Sequence, residues 1–339
     1  MSPLEQTVPA PRASQSVRSA TVSISIIIPA LNEERMIGRC LESLVKLAFA
    51  RERFEVILVD NGSRDKTLTI AESFKNQLNL RILQQTGVRI SGLRNLGARA
   101  AQGDIMAFLD ADCLPASDWL DRVFTLAPAD GAGVLGAHYL LPEDSTWVGR
   151  TWHIYQEAPK AGEVSHIPAG DLIMRREDFL RLGGFDESIQ TNEDYELCER
   201  ARAAGMKVRA FPEIGVVHLG TAQSLKVFFR KQAWHGTHVI KVFLRDVLKS
   251  HNRKAVFFAA YTFLCLLVAV MGTGWMLALH GPWWLPAAAV VALCLPPAAL
   301  SARQVLTSRG WLDFFPLFVL YLTYGIARAK ALLGVKNFF

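Results

Sequence analysis

The sequence predicts an α/β domain built on a mixed, mostly parallel sheet flanked by helices, followed by a C-terminal region of transmembrane helices. Between residues 23 and 109, β-branched runs alternate with segments of helical periodicity, which is the pattern of a parallel sheet with helical crossovers. Polar residues follow three of the predicted strands, at the strand ends where such sheets bind ligands. Residues 255–302 contain no Lys, Arg, Asp or Glu, and this run is long enough for two membrane passes.

Local composition predicts the elements of the α/β domain in chain order. Strands are predicted at 23–29, 54–59, 80–84 and 104–109, where β-branched and other apolar residues dominate. Helices are predicted at 33–47, 66–77 and 89–101, where apolar residues recur at helical spacing. A later helix opens near Glu193 and Asp194, with Thr191 or Asn192 as its expected cap.

The membrane region divides into two predicted spans, 256–279 and 283–301, with a turn at Gly281-Pro282 between them. A buried helical hairpin is the alternative. A third apolar stretch at 314–335 is shorter, and it suits a short span, a re-entrant segment or an interfacial helix. The basic residues that flank the two spans are Lys249, Arg253, Lys254, Arg303 and Arg309. Since the connector between the spans has no Lys or Arg, the positive-inside rule predicts a multi-pass protein of the cell inner membrane with a cytosolic N-terminal domain.

Composition and patterning divide the chain into four predicted parts. Residues 1–22 are a Ser-, Pro-, Ala- and Arg-rich tail that lacks the apolar core of a signal peptide and is expected to be disordered. The α/β domain is predicted at 23–223, an amphipathic interfacial helix or linker at 224–254, and the membrane region at 255–339. The net charge of +6 is modest and partly juxtamembrane, which favours a membrane of anionic lipid over nucleic acid as the partner.

The motif with the clearest chemistry is Asp110-Ala111-Asp112, directly after the fourth predicted strand. In an extended segment, residues two apart point to the same side, so both carboxylates face one ligand. Carboxylates this close repel each other unless a divalent cation or a shared proton neutralises them. Mg²⁺ or Mn²⁺ sits on such carboxylates together with phosphate oxygens, which a nucleoside diphosphate sugar would offer. A solvated turn is the alternative. No G-x-G-x-x-G follows the first strand and no Walker lysine motif is present, which argues against those two nucleotide-binding modes.

Several motifs in order resemble glycosyltransferase family 2, which has the GT-A fold. They are IIIPALNEE at 26–34, VDNGSRDKT at 59–67, GLRNLG at 92–97, DAD at 110–112, AGD at 169–171, GGFDE at 183–187 and NED at 192–194. The similarity covers roughly residues 23–220. It implies a GT-A-like fold and an inverting transfer of a sugar from a nucleoside diphosphate sugar.

The resemblance also implies roles for individual residues. Pro29, Glu33 and Asp60 would hold the base and ribose of the donor, with Asp110 near the ribose and Asp171 near the donor sugar or acceptor. Asp112 would bind the metal, and His218 would complete the metal site as it does in some relatives. Asp194 would be the general base, with Glu193 beside it. Arg94 would contact the diphosphate, since a guanidinium offers bidentate donors.

Each of these roles has a structural alternative. Asp60 also suits an Asp-x-Gly turn, and Arg94 a solvated helix face. The acidic pair Glu193 and Asp194 is also stabilised by the dipole of the helix that it opens. His218 is equally typical of a satisfied structural histidine.

The predicted function is a metal-dependent inverting glycosyltransferase of hexosyltransferase type, acting at the cytosolic membrane face in the synthesis of cell-envelope polysaccharide. Its acceptor would be a lipid or a lipid-linked glycan, because a soluble acceptor needs no membrane anchor. The alternatives are a processive polysaccharide synthase, a nucleotidyltransferase, and a non-catalytic membrane scaffold that retains the fold. Arg230, Gln232 and Trp234 loosely resemble the Q-x-x-R-W element of processive synthases, but their order and spacing differ.

Overall fold

The computed structural model describes residues 23–129, 133–157, 161–189, 191–245, 253–308 and 310–333. The predicted tail at 1–22, the flanking residues Lys249 and Arg309, and the last residues of the stretch at 314–335 lie outside the described residues.

Ten strands and eleven helices are defined in the described residues. The strands are β1 (Ile24–Ala30), β2 (Phe54–Asp60), β3 (Leu80–Gln84), β4 (Ile105–Leu109), β5 (Cys113–Leu114), β6 (Gly133–Gly136), β7 (Gly162–Glu163), β8 (Asp171–Arg175), β9 (Lys207–Ala210) and β10 (Val217–His218). The helices are α1 (Ile37–Val45), α2 (Thr67–Glu72), α3 (Ile90–Ala100), α4 (Trp119–Ala129), α5 (Trp147–Trp152), α6 (Arg176–Arg181), α7 (Glu193–Ala203), α8 (Leu225–Arg245), α9 (Arg253–Leu279), α10 (Trp284–Ser308) and α11 (Phe314–Leu332).

The main sheet has eight strands in the order β3-β2-β1-β4-β8-β6-β9-β7. Strands β3, β2, β1 and β4 are parallel neighbours, whereas β8 is antiparallel to both β4 and β6. Strands β5 and β10 form a separate antiparallel pair. The predicted class, a mixed and mostly parallel sheet flanked by helices and followed by apolar helices, is confirmed.

Both faces of the sheet are covered, which explains the continuous apolar run of β1. Ile26 and Ile28 pack in the core cluster that contains α1, and Ile27 packs on the opposite face with residues of α3. Helix α1 begins at Ile37 rather than near residue 33, because residues 34–36 form a turn instead of regular helix. Asn32, before this turn, is left-handed with φ of 56°. The Asn32 side chain accepts a hydrogen bond from Arg64 N at 2.9 Å. The segment after β1 is therefore a loop anchored to the loop after β2.

Within the described part of the chain, three C-terminal helices are long and apolar enough to cross a membrane: Arg253–Leu279, Trp284–Ser308 and Trp311–Leu332. Helices α9 and α10 pack together as a hairpin. Helix α11 runs along α8 and contacts the hairpin near the ends closest to the α/β domain, with Gly325 against Thr262 and Leu317 beside Val305.

The α/β domain is seated directly on these helices. The ring of Trp152, in α5, packs against Phe228 of α8 and Tyr324 of α11 at centroid distances of 4.8 and 5.8 Å. The hydroxyl of Tyr155 donates to the carboxylate of Asp313, at the start of α11, over 2.7 Å. The junction between α10 and α11 therefore lies on the same side of the hairpin as the α/β domain.

Candidate active site

The carboxyl ends of β1, β2 and β4 meet at one edge of the sheet. The register pairs Ala30 with Asp60 and Ile27 with Phe108, so the segments after these three strands are neighbours. A cavity of about 420 Å³ opens beside this edge. Its lining is Pro29, Ala30, Leu31, Glu33, Asn61, Val88, Arg89, Ile90, Leu93 and Trp234. Two predicted base-binding residues, Pro29 and Glu33, therefore lie in one cavity, and α8 contributes Trp234 to it.

Asp60 is fully buried and holds the turn after β2. Its carboxylate accepts hydrogen bonds from the backbone N–H groups of Gly62 and Ser63, at 2.8 and 3.0 Å, and from the Ser63 hydroxyl. These contacts are those of the Asp-x-Gly turn that was the alternative role for Asp60. Contact with a donor base stays a prediction for this residue.

Asp110 is fixed by two partners at the end of β4. Its Oδ1 accepts from Arg94 over 2.6 Å and its Oδ2 from the hydroxyl of Tyr139 over 3.1 Å. Gly170 lies so close that a Cβ there would collide with the Asp110 carboxylate and the Tyr139 hydroxyl. Tyr139 and Gly170 are therefore site residues that the sequence analysis did not single out for these contacts.

Arg94 is buried, at 2% exposure, and it bridges two carboxylates. One terminal nitrogen donates to Asp110 and the other to Glu193, each over 2.6 Å. Because both terminal nitrogens are occupied, the geometry favours a positioning role for Arg94 over the predicted contact with a diphosphate. The burial of Arg94 also argues against the alternative interpretation, in which it lies on a solvated helix face.

Asp194 stands in the first turn of α7, next to the Arg94–Glu193 pair. Its two carboxylate oxygens accept hydrogen bonds from the backbone N–H groups of Tyr195 at 2.8 Å and Ala169 at 3.1 Å. Burial raises the pKa of Asp194, and the negative charge of Asp110 raises it further. The two backbone hydrogen bonds and the charge of Arg94 lower it, but the net effect is a raised pKa. The arrangement fixes the carboxylate and raises its proton affinity, which suits a general base. The expected side-chain cap by Asn192 is wrong, because Asn192 is left-handed, with φ of 66°, and its side chain makes no capping hydrogen bond.

Asp112 and His218 are brought together by the small β5–β10 sheet, in which Cys113 pairs with His218. His218 Nε2 lies 3.3 Å from Asp112 Oδ2, and its ring stacks on Tyr139 at a centroid distance of 4.4 Å. Burial alone would raise the pKa of Asp112, but the hydrogen bond and charge of His218, with Lys231, hold it below its usual value. A Cβ at position 220 would collide with the Asp112 carboxylate, so only glycine allows the backbone to pass this close to Asp112.

The residues at this site fit a divalent cation. Among the described residues, no three His, Cys, Asp or Glu side chains enclose one metal position. Asp112 and His218 nevertheless offer a carboxylate oxygen and an imidazole nitrogen, which suit Mn²⁺ or Mg²⁺ when phosphate oxygens and water complete the coordination. Excess negative charge also calls for a cation: burial and the charges of Asp112, Asp110 and Asp65 raise the pKa of Glu33 to about 7.

Asp171 is the predicted site residue that the structure does not bring to the cleft. It is fully buried at the start of β8, beside Ala137 and Trp119, and burial raises the pKa of its carboxyl well above the usual value. Side chains alternate along a strand, and Asp171 shares its face with Ile173 of the core cluster around α1. The assignment of Asp171 to the donor or acceptor is therefore corrected.

Lys231 of α8 was missed as part of the site. Its ammonium group donates to the carbonyl of Gly220, beside Asp112, and its charge lowers the proton affinity of both Asp112 and Glu33. In the sequence, the only signal for a role of Lys231 in the site is its position among the basic and aromatic residues of an amphipathic helix.

Comparison with known protein families gives a match to one model, described as glycosyl transferase family 2, over residues 25–183. The match contains β1 to β4 and the Asp110-Ala111-Asp112 motif, and it ends ten residues before α7 begins at Glu193.

Curated relatives include the glycosyltransferase AglE of Haloferax volcanii and a validoxylamine A glucosyltransferase of Streptomyces hygroscopicus subsp. limoneus. The first is 28% identical over 229 residues, covering 66% of this chain and 75% of the relative. The second is 29% identical over 219 residues, covering 54% of this chain and 48% of the relative. The chain thus spans about half the length of the second relative.

Among solved structures, the mannosyltransferase PcManGT from Pyrobaculum calidifontis, in complex with GDP-Man and Mn²⁺, has a TM-score of 0.58. The likeness covers 91% of this chain and 86% of that protein at 20% identity. S. aureus TarS 1–349 in complex with UDP-GlcNAc has a TM-score of 0.50 at 18% identity, covering 92% of each chain. At these identities the likeness concerns the fold, and it confirms the expected GT-A-like architecture.

Proposed function

Because residues 25–183 match the model of glycosyl transferase family 2, we propose that this chain transfers a sugar from a nucleoside diphosphate sugar to an acceptor hydroxyl with inversion. The observation that carries the proposal is the Arg94 bridge. It joins Asp110 at the end of β4 to Glu193 at the start of α7, and so holds Asp194 beside the acids of the strand ends.

Asp194 takes the proton from the acceptor hydroxyl as that oxygen attacks the anomeric carbon in line. One carboxylate suffices for this step, since an inverting transfer forms no covalent intermediate. The backbone N–H groups of Ala169 and Tyr195 orient the carboxylate. Its raised pKa gives it a higher affinity for the proton than an ordinary aspartate has.

The donor nucleoside occupies the cavity between Pro29, Glu33 and Trp234, and its diphosphate extends toward Asp112. Asp112 and His218 would hold a Mn²⁺ or Mg²⁺ ion, which as a Lewis acid would stabilise the leaving diphosphate. Lys231 would add a positive charge on the same side. Asp110 stays a proposed neighbour of the ribose, fixed by Arg94 and Tyr139.

The acceptor in this proposal is a lipid or a lipid-linked glycan. Helices α9 and α10 present many exposed apolar side chains, including Val270 at 71% and Leu277 at 72%, as surfaces in contact with lipid do. The domain sits directly on α8 and α11, so its cleft is close to the membrane surface. Cytosolic orientation in the inner membrane rests on the flanking basic residues.

The first experiment measures donor binding and hydrolysis for a panel of nucleoside diphosphate sugars, in detergent, with Mn²⁺, Mg²⁺ or EDTA. We expect one donor to bind in a metal-dependent way and to release its nucleoside diphosphate slowly. No binding of any donor by the folded protein would overturn the proposal and favour a scaffold. Release of pyrophosphate would indicate a nucleotidyltransferase instead, and a polymeric product from the purified monomer would indicate a processive synthase.

A further inference from the structure

The interface between α8 and α11 contains an arginine, Arg328, that has no counter-ion among the residues that the structure describes. Arg328 of α11 donates one hydrogen bond, from Nη2 to Gln232 Oε1 of α8, over 3.0 Å. Its Nε and Nη1 atoms are buried, and neither has a hydrogen-bond partner among the described residues. In that part of the chain, no carboxylate lies within ion-pair distance of Arg328 either.

The neighbours of Arg328 compensate its charge only in part. The guanidinium lies 4.8 Å from the ring centroid of Tyr324, which is a favourable but weak contact. Gly236 of α8 lies against the Cδ of Arg328 and the Cβ of Ala331, so the two helices approach closely at this point. An arginine side chain cannot lose its proton in a protein, so a buried guanidinium of this kind calls for an anion.

The position of α11 indicates where that anion comes from. From Asp313 to Arg328, α11 contacts Tyr155, Trp152 and α8 in turn, so it lies along the α/β domain rather than beside the full length of the hairpin. Gly325 of α11 contacts α9 at Phe258 and Thr262, within the first ten residues of that helix. The far half of the hairpin bears exposed apolar side chains such as Met271 and Leu279. Arg328 therefore lies at the base of the membrane hairpin, at the depth of lipid headgroups.

We propose that Arg328 and Gln232 form a binding site, between α8 and α11, for the phosphate group of a membrane lipid. A phosphate ester supplies acceptor oxygens for one of the two nitrogens Nε and Nη1 and for the second N–H of Nη2, which Gln232 leaves available. Together these two groups form the parallel pair of donors with which a guanidinium binds phosphate. The Arg328 side chain is partly exposed, so a ligand can reach it. The lipid is either a bulk anionic phospholipid or an isoprenoid phosphate, and the site does not require the proposed transferase activity.

The test is calorimetric titration of the full chain, in dodecyl maltoside micelles, which contain no phosphate, with farnesyl phosphate and with farnesol. The variants are Arg328→Met, Arg328→Lys and, as a matched control, Arg303→Met, which removes the same charge from an exposed position of α10. We expect the wild type to bind farnesyl phosphate but not farnesol. Affinity should fall by about tenfold or more in Arg328→Met, since charge-assisted hydrogen bonds are lost. Arg328→Lys should retain part of the affinity, and Arg303→Met all of it.

Equal affinity of wild type and Arg328→Met for farnesyl phosphate would overturn the site, as would equal binding of farnesol and farnesyl phosphate. Nucleoside diphosphate binding, measured on the same samples, shows that each variant is folded. This measurement also separates the two proposals. A protein that binds the lipid phosphate but no nucleotide contradicts the proposed transferase activity and leaves the lipid phosphate site intact. Dioleoyl phosphatidate added in excess identifies the source: competition indicates a headgroup site, and no competition indicates selectivity for isoprenoid phosphate.

Discussion

Both carboxylate oxygens of Asp194 are held by backbone N–H groups, and this acid makes no ion pair in the described part of the chain. We expect Asp194→Asn to lower the transfer rate by about 10²- to 10⁴-fold, the usual contribution of a general base, and to leave donor binding intact. Asp118→Asn, at a half-exposed position directly before α4, is the matched control. Full activity of Asp194→Asn, measured with the donor that binds, would refute the assignment of the base.

The ionisation of Glu33 makes the stability of the folded protein depend on pH. Its folded pKa of about 7 lies above its ordinary value of 4.5, so the native state binds the extra proton and this group destabilises the fold progressively as pH rises from 4.5 to about 7. A cation in the cleft reverses this, because it favours the ionised carboxylates. We therefore expect Mn²⁺ to raise the melting temperature more at about pH 8 than at about pH 6.

Two variants check this prediction by differential scanning fluorimetry. Glu33→Gln should remove much of the pH dependence, and Asp112→Asn should remove the Mn²⁺ effect at both pH values. An Mn²⁺ effect that is independent of pH in the wild type would contradict the role given to Glu33.

At the scale of residues, the sequence predicted the positions of Asp110, Asp112 and Asp194 because their motifs follow strand ends or open a helix. It failed at Asp171, since a shift of one residue along a strand moves a side chain to the other face. It also missed that Arg94 is buried, because its partner Glu193 is 99 residues away in the chain and no local pattern connects them.

At the scale of elements, the Arg94 bridge ties α3 to β4 and α7 through two ion pairs. We expect Arg94→Met to destabilise the fold by about 3–5 kcal/mol, because it leaves two largely buried carboxylates without their partner. Chemical denaturation measures this loss. Arg99→Met, on the exposed side of the same helix, should change stability by less than about 0.5 kcal/mol.

If Arg94→Met unfolds the protein outright, Arg94→Lys keeps the charge but loses the forked geometry. That variant should retain most of the stability and lose activity, since Asp110 and Glu193 can no longer both be held. Wild-type stability in Arg94→Met would contradict the bridge.

Long periodic elements were predictable, and short ones were not. The boundaries of α3 and β4 differ from the prediction by one residue at most. The β5–β10 pair has only two residues in each strand, too few to show any alternation, yet this pair places His218 beside Asp112. Helix α2 ends at Glu72 rather than near residue 77, and the residues that follow form turns.

At the scale of the whole molecule, the contact between Tyr155 and Asp313 predicts which loops share a side of the membrane. We expect the junction of α10 and α11 to lie on the side of the α/β domain and the connector of α9 and α10 on the opposite side. In a background without native cysteines, Trp311→Cys and Trp283→Cys provide exposed probes, at 64% and 72%. An impermeant maleimide should label them from opposite sides of sealed vesicles, and labelling of both from one side would contradict this prediction.

The overall architecture was predictable because a charge-free run and a strand–helix alternation are both long-range patterns. The packing of α11 was not, since its composition suits a short span and an interfacial helix equally. Its contacts with Trp152, Tyr155 and Gln232 depend on residues far away in the chain, which no local pattern connects to α11.

The packing of Trp152 between α8 and α11 has a geometric consequence for substrate choice. A domain seated in this way cannot tilt or lift freely, so its cleft stays at one height above the bilayer. An acceptor anchored in that bilayer can react only if its hydroxyl reaches this height. The enzyme would then select acceptors by the distance between lipid and terminal sugar, and a glycan one residue too long or too short would be excluded by its length alone.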